Sequence, residues 1–356
     1  LFIYKLEQLL LFGNITVTPQ ALNLLLRENI DTVFLRLDGR YKGRLAGAEP
    51  KNVFLRKRQF ALCDDTPFCV AAARSIVFGK LMNMATIAQR ISRTRNTKAA
   101  ADCASDIRQT IRKLDEADSL DTLRGLEGYA SARYFSALQY GLDKDWGFRK
   151  RVRRPPTDPV NSILSLLYTF IINRAYSAVR IAGLDPYPGV FHALDYGRHS
   201  LPLDLVEEFR PIIADTLTLA LFNMGVLKED DFYQVEPPPP ETGYLEENLI
   251  DQVCADSIGQ MTMDSDDGDI FDIPEQKIDE DLEETAEHRD AKRAVKLYSP
   301  GFTRVLRAFE RKMQTEFYHP NAGTKMTYAE AMIFQARHFR QIITGEAAEY
   351  QPLLLK

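Results

Sequence analysis

Only four cysteines and one tryptophan occur in the 356 residues. Cys63, Cys69, Cys103 and Cys254 form no C-x-x-C pair, and none has a histidine at zinc-like spacing, which excludes the usual zinc folds. Four scattered thiols in a chain of this size suit reduced, structural cysteines in a cytoplasmic protein better than a disulfide framework. Long apolar runs are missing too: Lys, Arg, Asp or Asn interrupts each one before the ~18 to 20 residues that cross a bilayer, so a soluble protein is expected. No signal peptide is visible. The first residue is Leu1, not Met, and it enters directly into an apolar run, so further residues are expected upstream. Neither a Ser-His-Asp nor a Cys-His pattern offers a covalent nucleophile.

The net charge of −5 conceals a division. Residues 228–292 carry 22 Asp or Glu against 4 Lys or Arg, a net −18, which leaves the remainder at +13. A basic body suits a polyanionic partner. The acidic stretch opens with the stiff spacer Pro237 to Pro240 and is poor in aromatics, and it reads as a mobile insertion that contacts a partner or screens the basic surface. Within it, Met263 to Gly268 fails the calcium-loop template, because Met263, Ser265 and Pro274 fall where the first, third and twelfth ligands belong.

The chain is long enough for two domains. Residues 1–65 read as β-rich: Phe2 to Leu6, Ile30 to Leu37 and Gly39 to Leu45 are short β-branched or aromatic runs, and Asp38-Gly39 is a hairpin-type turn. Thr18-Pro19 breaks this with a helix start and leucines at helical spacing to Arg27. Residues 66–356 read as helical: a segment opening at Thr66-Pro67, another over Ser105 to Glu116, a third over Ser119 to Leu138, and a strongly apolar one from Asp158-Pro159. The expected fold class is α+β, predominantly α, with a small N-terminal sheet ahead of a larger helical part.

Two stretches hold the chemistry, Glu127 to Phe135 and Asp185 to Pro211. They offer Glu127, His192, Asp204 and Glu207, a carboxylate-rich set with one imidazole. Hard divalent cations prefer oxygen ligands and accept a neutral histidine, and such a cation can drive phosphodiester chemistry with no covalent enzyme intermediate. If a helix starts near Pro202, Asp204, Glu207 and Glu208 emerge on one face while Leu205, Phe209, Ile212 and Ile213 pack the other way. Taken alone, that face is ordinarily solvated, and Glu127 and His192 are ordinary residues. Basic clusters lie at Arg56-Lys57-Arg58, at Arg90, Arg93 and Arg95, and at Arg149-Lys150-Arg151 with Arg153 and Arg154. They are candidates for DNA phosphate contacts. Trp146 and Phe148 beside the last cluster read as core rather than as base-stacking platforms.

In order along the chain, the Glu127-Gly128 block, Asp158 to Tyr168, Gly183-Leu184-Asp185-Pro186 with His192, and Leu203 to Pro211 resemble the CRISPR-associated integrase and endonuclease family of spacer acquisition. Phe12-Gly13-Asn14 to Leu37 is similar to that family's β-domain, and Asn52 to Arg56 with Gln59 to its domain junction. Tyr328, Gln335, Ala336, Arg337, Gly345 and Tyr350 are similar to its C-terminal helices. By position, Glu127 matches the glutamate of the family's E-G motif and His192 the histidine of its D-P-x-x-G-x-x-H motif. Glu207 matches the acid that completes the metal site, and Asp204 a second acid in that helix.

The resemblance implies Mg²⁺ or Mn²⁺ held by Glu127, His192 and Glu207, with Asp204 near the metal or behind the ligands. His192 is also the member able to move a proton near neutral pH. The implied reaction is transesterification, in which the 3′-hydroxyl of a short DNA duplex attacks the target array. The implied partners are DNA, a second copy paired through the β-domain, and a small ferredoxin-like adaptation protein. Where the family carries a tyrosine-arginine pair, this chain reads Tyr328-Ala329, and the family's first strands would lie upstream of Phe2, as in a truncated chain or one part of a fusion. Two other readings stand beside this one: a non-catalytic DNA-binding scaffold of the same fold, and a metal-dependent phosphatase or nuclease for small nucleotides.

Overall fold

A computed structural model describes residues 6, 8–28, 30–35, 41–45, 52–153, 155–235 and 293–355. The Phe2 to Leu6 run except for Leu6, the Asp38-Gly39 turn, Arg154, Cys254 and the acidic residues 236–292 with their Met263 to Gly268 motif lie outside the described residues.

The chain opens with strand β1 (Gln8–Phe12), helix α1 (Pro19–Arg27), and strands β2 (Asp31–Leu35) and β3 (Tyr41–Leu45). Thr18 starts α1 by accepting from the Ala21 amide at 3.3 Å, and Pro19 takes the position whose N–H would be unpaired anyway. The sheet order is β1-β2-β3, with β1 parallel to β2 through the α1 crossover and β3 antiparallel to β2. Val33 and Leu35 are fully buried on β2.

Helices then dominate: α2 (Val53–Cys63), α3 (Thr66–Arg95), α4 (Lys98–Arg112), α5 (Leu120–Leu138), α6 (Pro159–Ile181), α7 (Ser200–Val206) and α8 (Thr216–Asn223). A π-helical turn, Arg210–Asp215, feeds α8. Ser119 and Asp158 cap α5 and α6 by accepting from amides three residues on, at 3.2 and 2.9 Å. The acidic stretch leaves as β4 (Phe232–Val235) and the chain returns as its antiparallel partner β5 (Ala294–Leu297). Helix α9 (Ser299–Met313), the hairpin β6 (Glu316–His319) and β7 (Thr324–Thr327), and helix α10 (Tyr328–Thr344) complete the fold. The α+β, mainly helical class expected from the sequence is the one observed.

Helix α3 is the axis of the core. Fifteen of its residues are buried, spread around its circumference, because α4, α5, α7 and the π turn all pack on it. By length and composition, α3 and α6 are apolar enough to cross a membrane, contrary to the expectation that charged residues interrupt every such run. In each helix the most apolar window is largely buried inside the fold, 67% and 61%, so their hydrophobicity serves internal packing. Trp146 and Phe148 are core residues as expected; the Trp146 ring lies 4.6 Å from that of Phe222.

The C-terminal segment crosses α3 at one point. Asn83 donates to the Leu353 carbonyl at 2.9 Å and accepts from the Leu355 amide at 2.8 Å. A Cβ on Gly79 would stand 2.4 Å from Pro352 Cβ, so the crossing needs a residue without one. Gly79→Ala is therefore predicted to lower stability by about 1–3 kcal/mol through overpacking. The check is the urea unfolding midpoint, and an unchanged midpoint would mean that the segment does not seat there.

Candidate metal centre

Glu127 sits two turns into α5, a position that aims its side chain at the middle of α3. Glu207 follows the last residue of α7 and is 2% exposed. Between their carboxylates lies the ammonium of Lys80, from α3. It pairs with Glu127 Oε1 and stands 2.6 Å from Glu207 Oε2. Ser131 donates to Glu127 Oε1 at 2.6 Å, and the Arg210 guanidinium lies 3.4 Å from Glu207 Oε1.

His192 completes this group from a loop. The fully buried Asp204 carboxylate accepts from the amides of Val190, Phe191 and His192 at 2.6, 3.1 and 2.9 Å, and contacts His192 Nδ1 at 2.7 Å. A carboxylate only accepts, so Nδ1 carries a proton, and the Nε2 edge of the ring faces Glu207, 3.8 Å away. Gly189 makes the wrapping possible, since a Cβ there would meet Asp204 Oδ2 at 2.6 Å. The D-P-x-x-G-x-x-H spacing is thus a loop wound round one buried acid. Asp204 orients the histidine, an arrangement common behind metal-bound imidazoles.

Other elements hold the loop from outside. Gln59 on α2 donates to the Asp185 and Pro188 carbonyls at 2.8 and 3.3 Å and accepts from the Asp185 amide at 2.9 Å. Arg56 pairs with the Asp185 carboxylate at 2.7 Å. Arg124, one turn before Glu127, donates to the Phe191 carbonyl at 2.8 Å, which ties α5 to the histidine loop.

Burial acts to raise the pKa of Glu127, but the Lys80 ammonium reverses it, so the direction is down. Glu207 also works against burial; Arg210, Lys80 and His192 bring it down to about 2. Burial pulls Lys80 toward neutrality, and Glu127 and Glu207 more than offset this, leaving its pKa raised. Both glutamates and the lysine are therefore charged at neutral pH.

Among the described residues, no three His, Cys, Asp or Glu side chains close on a common point as a ligand set. Lys80 accounts for this, because its ammonium takes the position between the two carboxylates. The donors themselves suit a hard cation: two carboxylates, one imidazole nitrogen with its tautomer set, and a Glu207 Oε2 that touches Lys80 without hydrogen-bond geometry.

Sequence spacing suggested that Asp204, Glu207 and Glu208 share one face. They do not. Beyond Val206 the chain leaves regular α-helix and enters the π turn, and the three acids diverge: Asp204 into the histidine loop, Glu207 to Lys80, and Glu208 to the C-terminal segment. Glu208 accepts from Gln335, Tyr350 and the Leu353 amide at 2.9, 2.9 and 2.6 Å.

The basic residues separate as well. Besides Arg56, Arg149 pairs with Asp145, and Arg151 donates to the Asn161 and Ser165 side chains at 3.0 Å each. Arg58, Arg90, Arg93, Lys150 and Arg153 are exposed. Lys80, Arg124 and Arg210 had not been selected from the sequence. For Lys80 a signal existed: it stands in an apolar helical stretch, with Ile76, Val77, Leu81 and Met84 around it.

A mainly helical protein with buried carboxylates and a carboxylate-oriented histidine at its centre is the class that this fold and geometry define. The family model described as CRISPR associated protein Cas1 matches residues 1–255, and the chain belongs to that family. It is 28% identical over 350 residues to CRISPR-associated endonuclease Cas1 3 of Thermus thermophilus, covering 98% of this chain and 86% of the relative. Two solved structures share the fold. A casposase bound to integration product has TM-score 0.74 and 16% identity, over 98% of this chain and 82% of that one. A CAS1 protein from Thermotoga maritima has TM-score 0.70 and 19% identity, over 99% and 90%.

Glu208 yields a pH prediction. Burial pushes it up from 4.5 to about 8 in spite of its three donors. The folded protein thus holds a proton that the unfolded chain has released between those values. Its contribution to stability is full below about pH 4.5 and is lost as pH rises through about 8. Wild-type stability should fall from pH 6 to 8 with a slope of up to about 1.4 kcal/mol per pH unit from this group, and Glu208→Gln should remove that component. Denaturant titrations at several pH values check it; parallel profiles for the two proteins would contradict it.

Proposed function

We propose that this chain is a metal-dependent DNA integrase and endonuclease that inserts short DNA segments into a CRISPR array by 3′-hydroxyl transesterification. The observation that carries the reading is that Glu127 from α5 and Glu207 from the end of α7 meet on one ammonium, with His192 Nε2, from a separate loop, 3.8 Å from Glu207. Asp204 is occupied by three loop amides and His192 Nδ1, and so holds the loop and the ring in place. The similarity to a CRISPR-associated endonuclease and to a casposase bound to integration product supports the reading.

Glu127, His192 and Glu207 would hold Mg²⁺ or Mn²⁺, with Asp204 behind His192. Bound there, such an ion supplies Lewis-acid polarisation of a phosphoryl oxygen and stabilises charge on the attacking or departing oxygen. In the reaction, the attacking 3′ oxygen forms a new bond to phosphorus and the bond from phosphorus to the target strand's 3′ oxygen breaks. The proton of the attacking hydroxyl ends on the departing oxygen. His192 has one lone-pair nitrogen, so at any moment it ligates or accepts that proton, never both. Lys80 and Arg210 hold the carboxylates ionised, ready for the ion.

Arg58, Arg90, Arg93, Lys150 and Arg153 are exposed and would be available to DNA phosphates. Residues 1–65 would pair with a second copy, residues 66–356 would carry catalysis, and a small ferredoxin-like protein would bridge two such dimers. A scaffold without catalysis has no use for three ligands gathered from separate elements. A small-nucleotide hydrolase would not need dispersed basic residues, and its turnover should depend little on salt, whereas long-DNA binding should fall steeply.

The test is joining of a labelled short duplex with free 3′-hydroxyls to a supercoiled array plasmid, with the partner protein and Mn²⁺. Glu127→Ala, His192→Ala and Glu207→Ala should each lose on the order of 10²-fold or more in joining while still binding DNA, and EDTA should abolish it. Undiminished joining by these variants would refute the ligand assignment; binding without joining by any protein, wild type included, would favour the scaffold.

A further inference from the structure

A lysine at position 80 is out of place by composition. It stands mid-way along α3, the helix on which the others pack, its side chain 7% exposed, among Ile76, Val77, Leu81 and Met84. A buried ammonium persists only where opposite charge meets it. Here two carboxylates do, one from α5 and one from the end of α7, and both belong to the set that would hold a metal.

The charges explain what this does. Without Lys80, Glu127 and Glu207 would be two largely buried carboxylates facing each other, with Arg210 on one side of Glu207 alone. With it, the two glutamates are balanced by Lys80 and Arg210, and the α3, α5 and α7 ends are drawn together with no divalent ion. The same ammonium uses Glu127 Oε1 and Glu207 Oε2, oxygens that a cation shared by both residues would need. Glu207 Oε1, by contrast, faces His192 Nε2 at 3.8 Å. That oxygen also has the Arg210 guanidinium 3.4 Å away, so both Glu207 oxygens already face a cation of the chain, and the lysine, at 2.6 Å, is the nearer of the two.

We propose that Lys80 is the resident counter-cation of this centre, holding Glu127 and Glu207 together in the metal-free protein and yielding at least one carboxylate when a divalent cation enters. The proposal rests on reading Glu127, His192 and Glu207 as metal ligands. Its consequence is that metal affinity is set by competition with an internal charge. The centre keeps its shape when empty, and the cation's apparent affinity is lowered by the work of displacing the lysine. The displaced ammonium stays beside the site as a positive group available to an incoming phosphate.

Mn²⁺ binding to the full chain, measured by electron paramagnetic resonance alongside thermal unfolding in EDTA, tests this with Lys80→Met, which keeps the length of the side chain and removes the charge. The variant should bind Mn²⁺ at least about tenfold more tightly than wild type. In EDTA it should melt about 5 °C or more lower, and Mn²⁺ should raise its melting temperature by more than it raises that of wild type. Equal or weaker Mn²⁺ binding by Lys80→Met, with wild type binding at a site that Glu127→Gln weakens, would overturn the lysine proposal and leave the metal centre standing. Wild-type binding that Glu127→Gln and His192→Ala leave unchanged would overturn both. Should Lys80→Met fail to fold in EDTA, ¹⁵N resonances of lysine-labelled wild type decide the matter. The Lys80 Nζ signal, assigned by its loss in Lys80→Arg, should move as Mg²⁺ is added, and a signal unmoved at saturating Mg²⁺ would refute the proposal.

Discussion

Two carboxylates brought together out of water must be balanced by positive charge, and the centre of this molecule is organised around that requirement. Glu127 and Glu207 arrive from elements about eighty residues apart in sequence, and both are ionised in spite of burial. Their mutual repulsion in a poorly solvated setting would separate α5 from the end of α7 unless cations intervened. Lys80 and Arg210 supply the charge, and α3, which carries Lys80, is accordingly the helix on which the others are assembled. The apolar character of α3 and α6 buries the helices, and the few polar groups inside them are each committed to a partner: Lys80 to the glutamates, Asn83 to the C-terminal segment, and Tyr168 to Asp215.

A second buried acid does a different task. Asp204 spends its acceptor capacity on three loop amides and one imidazole nitrogen, so the loop from Asp185 to His192 has little freedom to reorient the ring. Gln59 and Arg56 secure the start of that loop from α2, and Arg124 secures its end from α5. Any movement of α2 relative to the helical core would therefore reach His192 through hydrogen bonds. This gives a physical route from the N-terminal junction to the candidate centre, and it makes α2 more than a linker.

Much of this was legible in the chain. Thr18-Pro19, Ser119 and Asp158-Pro159 marked helix starts through capping chemistry that depends on neighbouring residues alone, and α1, α5 and α6 begin there. Glu127, His192 and Glu207 could be grouped because their motifs resemble a known family, and no spacing rule would have joined residues so far apart. What escaped was set by tertiary contact. The helix holding Asp204 ends at Val206 and a π turn begins at Arg210, so periodicity put Glu208 on the wrong face. Arg56 looked like a phosphate contact because nothing local reveals that Asp185, far along the chain, reaches it. Lys80 carried a faint signal as a charge at an apolar helical position, but its partners lie on other helices. The β1 strand was missed because Gln8–Phe12 is leucine-rich and without β-branched residues, and only its pairing with β2 makes it a strand.

The central claim is that Glu127, His192 and Glu207 form one divalent-cation site. Crystals of the full chain grown with Mn²⁺, measured at the manganese absorption edge, address it most directly. The account predicts an anomalous peak within about 2.3 Å of a Glu127 oxygen, a Glu207 oxygen and His192 Nε2, with Asp204 still on Nδ1. A peak held by other residues, or none at saturating Mn²⁺ with Lys80 still between the two carboxylates, would contradict it.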